Sequence, residues 1–205
     1  MSAKNEIKSL CVFCGSQSGN DPTFVEQTRA FAKYLASRDI QIVYGGGSVG
    51  LMGELADACL EAGGKIIGVI TAKLLDREVG HRGLTQLDVV ETMLERKTRM
   101  ADLSDAFVSL PGGMGTMDEL FEMVTWGLLD LHGQKPKPNG VLNVAGYYDS
   151  LIQFLDENMV GGGFLNADHA SNLVASDDFE VLMEKMEQID LVSKIGEEAN
   201  FCVPE

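Results

Sequence analysis

A glycine-rich segment at residues 111–119, PGGMGTMDE, carries the residue types of an anion-binding turn. It follows a short apolar run, typical of a buried strand, and its second half opens a run whose apolar residues recur every three or four positions, which predicts a helix over 117–131. The glycines of the segment are Gly112, Gly113 and Gly115. Because glycine lacks a Cβ atom, this backbone can approach a ligand closely and direct N–H groups at an oxyanion beside the helix N-terminus. The segment therefore predicts a phosphate-binding turn.

Glu119 is the acid–base candidate beside that turn. Thr116 and Glu119 have the spacing of a capping box, which alone would explain both residues at a helix start. A carboxylate in the first helical turn beside a bound phosphate is equally well placed for proton transfer. The spacing leaves both interpretations open.

Arg96 is the second chemical candidate, in a helix predicted over 93–103. It shares a helix face with Met93 and Met100, so a permanently charged guanidinium falls in the stripe that packs on the sheet. A charge in that position needs a partner, either a ligand or a buried carboxylate. Lys97 lies next to the stripe and is a candidate for the phosphate.

The elements that must position these residues alternate along the chain. Strands are predicted at 7–13, 40–44, 65–70, 87–90, 106–110, 140–145 and 172–175, and helices at 21–38, 51–62, 93–103, 117–131, 147–159 and 178–189, the last capped by Asp177. Residues 71–86 show no apolar period and are predicted to form a mobile loop. The alternation predicts an α/β fold, a Rossmann-like doubly wound parallel sheet with helices on both faces. Residues 1–205 are expected to form one domain, with an acidic tail at about 190–205.

Three glycine turns should meet at the carboxyl edge of that sheet. They are Gly15-Ser16, Gly45–Gly50 and Gly112–Thr116, each between a predicted strand and helix, which makes Ser16 a further ligand-binding candidate. Residues 45–50 also match the dinucleotide fingerprint GxGxxG, but no acidic residue ends the next strand to bind a ribose. No GxxxxGK[ST] phosphate loop is present, so neither NAD nor a nucleoside triphosphate is the expected ligand.

The composition of the chain limits the kinds of molecule that the protein is expected to bind. The net charge of −15 argues against nucleic acid or an anionic membrane surface, which would require a basic face. No apolar run approaches the length of a membrane span and the N-terminus lacks the features of a signal peptide, so we expect a cytoplasmic protein. Of the cysteines at 11, 14, 59 and 202, the first two have the CxxC spacing of a redox or zinc half-site, but the CVFC run is typical of a buried strand and no second half-site or His pair follows. The histidines at 81, 132 and 169 are scattered without ligand spacing. No metal is expected.

Several motifs together resemble the LOG ("Lonely guy") family of nucleoside 5′-monophosphate phosphoribohydrolases. The pair that carries the resemblance is PGGMGTMDE at 111–119 with Met93-x-x-Arg96-Lys97-x-x-Met100 upstream. Further matches are CGS at 14–16, VYGGG at 43–47 and VGLMG at 49–53, so the resemblance covers about residues 8–185.

The resemblance implies a Rossmann-like fold, usually dimeric, that releases adenine or an N6-substituted adenine, a cytokinin base, from the 5′-monophosphate. It implies that Arg96 and Glu119 are catalytic. The residues that it implies hold the nucleotide are Lys97, Gly112, Gly113, Gly115, Thr116 and Ser16. Leu94 stands where many members have His, and Met114 where many have Tyr or another bulky group, which bears on base preference.

Two functions other than phosphoribohydrolase activity are a lysine decarboxylase and a regulatory module. Relatives are often labelled lysine decarboxylases, but no lysine lies in a pyridoxal phosphate site pattern and no cofactor is expected. The alternative from a different class is a non-catalytic nucleotide-binding regulatory module on the same fold, in which Glu119 is only a helix cap.

Overall fold

The computed structural model describes residues 5–75, 80–129, 131 and 137–189. These residues form a seven-stranded parallel sheet with strands β1 (Ser9–Phe13), β2 (Gln41–Tyr44), β3 (Ile66–Thr71), β4 (Gln86–Val90), β5 (Ala106–Ser109), β6 (Asn139–Leu142) and β7 (Leu173–Ser176). The strand order is β4-β3-β2-β1-β5-β6-β7, so the winding reverses between β1 and β5. The predicted Rossmann-like fold is confirmed, and the reversal is where such sheets bind ligands.

The connecting helices have the bounds α1 (Pro22–Ser37), α2 (Gly50–Glu61), α3 (Ala72–Leu75), α4 (Met93–Asp102), α5 (Met114–Leu128), α6 (Asp149–Gln153), α7 (Ala167–Ala170) and α8 (Phe179–Gln188). One turn of 3₁₀ helix at Val144–Gly146 precedes α6, and a π-helical segment at Phe154–Val160 follows it. None of the described helices is both long and apolar enough to cross a membrane.

The sheet separates two apolar layers. Side chains of α1, α2 and α8 pack with Leu10 and Val12 on one face, while α4 and α5 pack with Cys11 and Phe13 on the other. The alternation that starts in β1 places the buried side chains of Cys11 and Cys14 on opposite faces of the sheet, and neither is in a disulfide. Cys11-x-x-Cys14 is therefore a strand pattern, as the sequence indicated, and cannot form a disulfide.

Several helix starts differ from the predictions, and two of the differences concern capping residues. Helix α5 begins at Met114, not at 117, with Gly113 as its N-cap and no side-chain cap. Thr116 and Glu119 thus lie inside the helix, and the capping-box interpretation of this pair is wrong. Asp178, not Asp177, caps α8 by accepting from the N–H groups of Glu180 and Val181.

Other boundaries shift for local reasons. The helix predicted over 147–159 begins only at Asp149, after positive φ angles at Ala145 and Gly146 turn the chain, and a π-helical segment replaces its second half. The described part of the loop predicted at 71–86 includes α3, and Gly80 pairs with Gly47. Residues 76–79, 130, 132–136 and the predicted tail from 190 onward, with His132 and Cys202, lie outside the described residues.

Candidate active site

The three predicted glycine turns meet at the carboxyl edge of the sheet. The N–H of Gly15 donates to the carbonyl of Pro111 at 3.1 Å, which joins the turns after β1 and β5. Gly50 adopts φ +56°, and a Cβ there would lie 2.3 Å from the carbonyl carbon of Ser16, so the turn after β2 packs directly on the turn after β1. The close approach of these backbones explains why glycine stands at these positions.

A polar cavity of about 180 Å³ lies between these turns and helix α4. Its walls are formed by Cys14, Ser16, Met52, Arg96, Gly113, Met114, Gly115, Thr116 and Glu119. Six of the eight residues singled out from the sequence therefore line one cavity. Gly112 lies in the same turn and lines an adjoining cavity of about 320 Å³, and the structure does not bring Lys97 to either.

Arg96 lies beneath this cavity and is 5% exposed. Its Nε donates to the carbonyl of Val69 at 2.9 Å and its Nη2 to the carbonyl of Gly45 at 3.1 Å. Its Nη1 lies 3.5 Å from Oε1 of Glu119, whose side chain is also nearly buried. Two backbone carbonyls and one carboxylate are therefore the partners of this guanidinium inside the fold. The sequence leads us to expect such partners.

The hydrogen bonds at the start of α4 explain how this helix positions Arg96 beside the cavity. Thr92 caps the helix by accepting from the N–H of Glu95, and the Glu95 carboxylate accepts from the N–H of Glu91. Helix α4 is thus fixed at its start, in the turn that precedes Arg96, and packs against β3. The charges of Arg96 and Glu119 also affect the pKa of the nearby Cys11 thiol. Burial raises the pKa of the Cys11 thiol well above its usual value, and the nearby Glu119 adds to that rise while Arg96 opposes it.

The N-terminus of α5 forms the opposite wall. It has no side-chain cap, so its first N–H groups face the cavity edge without an intrahelical acceptor. A Cβ on Gly112 would lie 2.1 Å from Oγ1 of Thr116, which shows that the threonine hydroxyl folds back over the turn. A Cβ on Gly113 or Gly115, by contrast, would enter open space, with no neighbouring heavy atom within 4 Å. The arrangement is an open anion site at a helix N-terminus.

Lys97 follows Arg96 but points toward a different part of α5. Its ammonium pairs with Asp118 at 3.1 Å and with Glu122. Burial alone would favour the neutral amine, but the two carboxylates outweigh it and the pKa of Lys97 is raised. One residue along a helix rotates the side chain by about 100°, which is why Lys97 contacts the outer side of α5 while Arg96 faces the sheet.

Sequence reasoning missed several residues of the site. Cys14 and Met52 line the polar cavity, and Phe24, Leu51 and Tyr147 line the adjoining one, which shares Ser16 and Gly113 with it. Cys14 lies between a strand and a glycine turn, and this position is a signal that the sequence offers. The aromatic pair offers none, because Phe24 and Tyr147 are brought together from distant parts of the chain.

The described residues offer no cluster of three or more His, Cys, Asp or Glu side chains suited to a metal ion. The residues that line the polar cavity include a guanidinium and no lysine amine that could form an imine with pyridoxal phosphate. The chemistry available is that of a carboxylate, a guanidinium and backbone N–H groups.

Comparisons with known proteins identify the family. A family model described as "Possible lysine decarboxylase" matches residues 52–186. The chain is 45% identical over 179 residues to the probable cytokinin riboside 5′-monophosphate phosphoribohydrolase LOGL1 of Oryza sativa subsp. japonica, covering 87% of this chain and 78% of that protein. It is 40% identical over 197 residues to the cytokinin riboside 5′-monophosphate phosphoribohydrolase LOG2 of Arabidopsis thaliana, covering 94% and 91%.

The chain belongs to the LOG family. Solved structures with little sequence identity support the fold alone. A molybdenum cofactor carrier protein from Chlamydomonas reinhardtii superposes with a TM-score of 0.65 at 16% identity, covering 90% of this chain and 100% of that chain. The molybdenum cofactor binding protein from Rippkaea orientalis gives a TM-score of 0.62 at 20% identity, covering 86% and 94%.

Proposed function

We propose that this LOG family chain hydrolyses the N-glycosidic bond of AMP or an N6-substituted AMP, releasing the free base and ribose 5-phosphate. As a member of the family it is a nucleoside 5′-monophosphate phosphoribohydrolase, in line with the names of its relatives. The observation that carries the proposal for this chain is the buried Arg96–Glu119 pair, which forms one wall of a cavity whose other wall is an uncapped helix N-terminus.

The helix N-terminus supports a binding site for the 5′-phosphate. Gly113 and Gly115 leave room for the anion, and the first N–H groups of α5 and the Thr116 hydroxyl supply donors. Glu119 follows Met114 by five residues, which is about 7.5 Å along the helix axis. That separation suits a ribose that lies between the phosphate and the carboxylate.

The Arg96–Glu119 pair supports the chemistry at C1′. Cleavage of an N-glycosidic bond builds positive charge on the ribose, as in an oxocarbenium ion, and a carboxylate stabilises it or takes a proton from the attacking water. Arg96 holds Glu119 in place through the 3.5 Å contact between Nη1 and Oε1, and Glu119 lines the cavity that would contain the ribose. Phosphate binding is remote from the bond that breaks and orients the sugar for attack.

Lys97 is proposed to act through α5 and not as a direct phosphate ligand. Its pairs with Asp118 and Glu122 are on either side of Glu119 in the sequence, so Lys97 and Arg96 together hold α4 against the part of α5 that carries the carboxylate. Ser16, at the shared edge of the two cavities, is retained as a nucleotide-binding candidate.

Chromatography of reaction mixtures tests the function. The purified protein is incubated with AMP, with N6-isopentenyl-AMP and with adenosine, and free base and ribose 5-phosphate are quantified. We expect release of base from at least one monophosphate and a far lower rate with adenosine, because adenosine lacks the anchoring group. Binding of AMP without any base release would instead support the non-catalytic regulatory module, and equal rates on adenosine and AMP would rule out the phosphate site.

We further propose that the protein is a homodimer that uses the outer side of α4 and α5. This surface, the α4–α5 face, exposes large apolar side chains at Met93, Leu94, Met114 and Phe121, and a groove lined by Met117, Phe121 and Trp126 runs along α5. Exposed apolar area of this kind favours a self-complementary contact with a second copy. By contrast, Ala56 and Ala58 of α2 are buried inside this chain.

Sedimentation velocity at micromolar concentration tests the dimer. The parent should sediment as a dimer, and Phe121→Glu should shift it to monomer because a charge is placed in the apolar contact. A monomeric parent would refute the dimer, and a dimeric Phe121→Glu variant would place the interface elsewhere. The net charge of −15 also leads us to propose that the protein has no nucleic-acid or anionic-membrane partners, which binding assays with DNA and anionic vesicles check. A cytoplasmic location is a separate proposal, which fractionation of the source cells tests.

A further inference from the structure

The orientation of Arg96 depends on the turn after β2. Its Nη2 donates to the carbonyl of Gly45 at 3.1 Å, and a Cβ on Gly45 would lie 2.2 Å from that nitrogen. Any shift of the turn therefore moves the acceptor of the guanidinium, and with it the Nη1 group that faces Glu119. What holds this turn in place bears directly on the geometry of the proposed catalytic pair.

A second segment of the chain lies over this turn. Residues Gly80–Gly83, here called the strap, contact it through the N–H of His81, which donates to the carbonyl of Gly46 at 3.0 Å, and through a bridge between Gly80 and Gly47. From the inner side, the hydroxyl of Tyr44 donates to the carbonyl of Gly47 at 3.1 Å. The turn is thus held between a buried tyrosine and the strap.

The side chain of His81 fastens the strap to helix α2. Its Nδ1 accepts from the N–H of Gly83 at 3.1 Å, so in the neutral ring Nε2 carries the proton and donates to Oδ1 of Asp57 at 3.0 Å. The His81 side chain is 13% exposed, whereas that of Asp57 is 58% exposed. Asp57 lies on the helix that begins at Gly50, immediately after the turn. The contacts close a ring that runs from the turn through α2, Asp57 and His81 back to the turn.

We propose that His81 is a positioning residue for Arg96, fixed by Asp57, and that this pair sets the geometry of the Arg96–Glu119 couple through the strap and the turn after β2. The inference rests on the proposed function of that couple. It assigns no contact between His81 and substrate, because His81 reaches the site only through the backbone of the turn. The phosphate turn after β5 is a separate element, so substrate binding should be left largely intact.

Steady-state kinetics of three variants test this role. We expect His81→Ala and Asp57→Ala to lower kcat for base release about 10- to 100-fold, because displacement of a reacting group by about 1 Å has effects of that size. KM should change by no more than about threefold, since ground-state binding is unaffected. Asp57→Asn keeps an oxygen acceptor for Nε2–H and should retain a kcat close to that of the parent.

Glu61→Ala is the matched control, because it removes another carboxylate of α2, one that pairs with Arg29 and not with the strap. It should leave kcat and KM unchanged. A parent-like kcat in His81→Ala, a loss expressed only in KM, or an Asp57→Asn variant as impaired as Asp57→Ala would each overturn the inference.

Hydrogen exchange followed by mass spectrometry separates this inference from the proposed function. Amides of residues 45–50 and 80–83 should exchange about tenfold faster in His81→Ala and Asp57→Ala than in the parent and in Glu61→Ala, because local opening becomes easier. Unchanged exchange in these two segments would overturn the strap as the support of the turn, whether or not the protein is active. A parent without base release would overturn the proposed function while the exchange result still decides the role of the pair.

Discussion

The two longer glycine turns at the carboxyl edge of the sheet differ in what occupies the space above their glycines. In the turn after β2, a Cβ on Gly45 would lie 2.2 Å from the Arg96 guanidinium, and one on Gly50 would collide with the backbone at Ser16. In the turn after β5, a Cβ on Gly113 or Gly115 would meet no heavy atom within 4 Å. The first turn uses these glycines to pack protein against protein, whereas the second leaves space for a ligand above Gly113 and Gly115, although not above Gly112.

This difference explains the dinucleotide-like spacing GxGxxG at 45–50. In dinucleotide-binding proteins these glycines let a backbone approach a pyrophosphate. Here the corresponding space is filled by Arg96 and by the neighbouring turn, so the same spacing positions a charged side chain instead. Motif spacing alone does not distinguish these two uses, whereas the occupants of the space do.

Gly45→Ala tests the filled turn most strongly. The added methyl displaces the guanidinium, which is the end of a flexible side chain, so the protein should still fold. Arg96 would lose its contact with Gly45 and its placement beside Glu119, and we expect kcat for base release to fall about 100-fold. Steady-state kinetics with a thermal melt as a folding check measure this. A folded Gly45→Ala variant with parental kcat would show that Arg96 does not need this position.

Gly115→Ala tests the open turn and should separate stability from binding. The residue lies in the first turn of α5 with free space around it, so alanine should stabilise the helix by about 0.4–1 kcal/mol. The melting temperature should therefore rise by about 1–4 °C. The methyl enters the proposed phosphate site, and kcat/KM for AMP should fall roughly 10- to 100-fold. A stabilised variant with unchanged kinetics would place the phosphate elsewhere.

Lys97→Ala should have the smallest effect of the three. If the lysine supports α5 through Asp118 and Glu122, its loss should lower the rates on AMP and adenosine by a similar factor, about 3- to 10-fold, through a looser Glu119. A much larger loss with AMP than with adenosine would instead show that Lys97 binds the phosphate directly.

Much of the fold and of the site composition could be predicted from the sequence. Strands such as Ala106–Ser109 are apolar runs ended by proline or glycine, and their periodicity is local information. Arg96 could be recognised because a guanidinium stands in an apolar helical stripe, and the structure confirms that it is buried. Signals of this kind reside within one element and need no knowledge of the tertiary contacts.

The missed features depend on contacts between distant segments. Helix α5 begins within the glycine turn at Met114, which propensity disfavours, because docking on the sheet overrides the low helix preference of glycine. The direction of Lys97 is set by the crossing of α4 and α5, and the pair of Asp57 with His81 joins α2 to a segment 24 residues later. Neither of these contacts produces a periodic pattern in the sequence.

The charge of Glu119 is the central element of the account, and Glu119→Gln tests it most directly. The amide keeps the size and the hydrogen-bonding capacity of the side chain but removes the charge and the base. Isothermal titration with AMP and chromatography of released adenine are performed on the same preparation. We expect AMP binding within about threefold of the parent and base release reduced about 100- to 10,000-fold. Base release at the parental rate would contradict it and leave Glu119 as the buried partner of Arg96 alone.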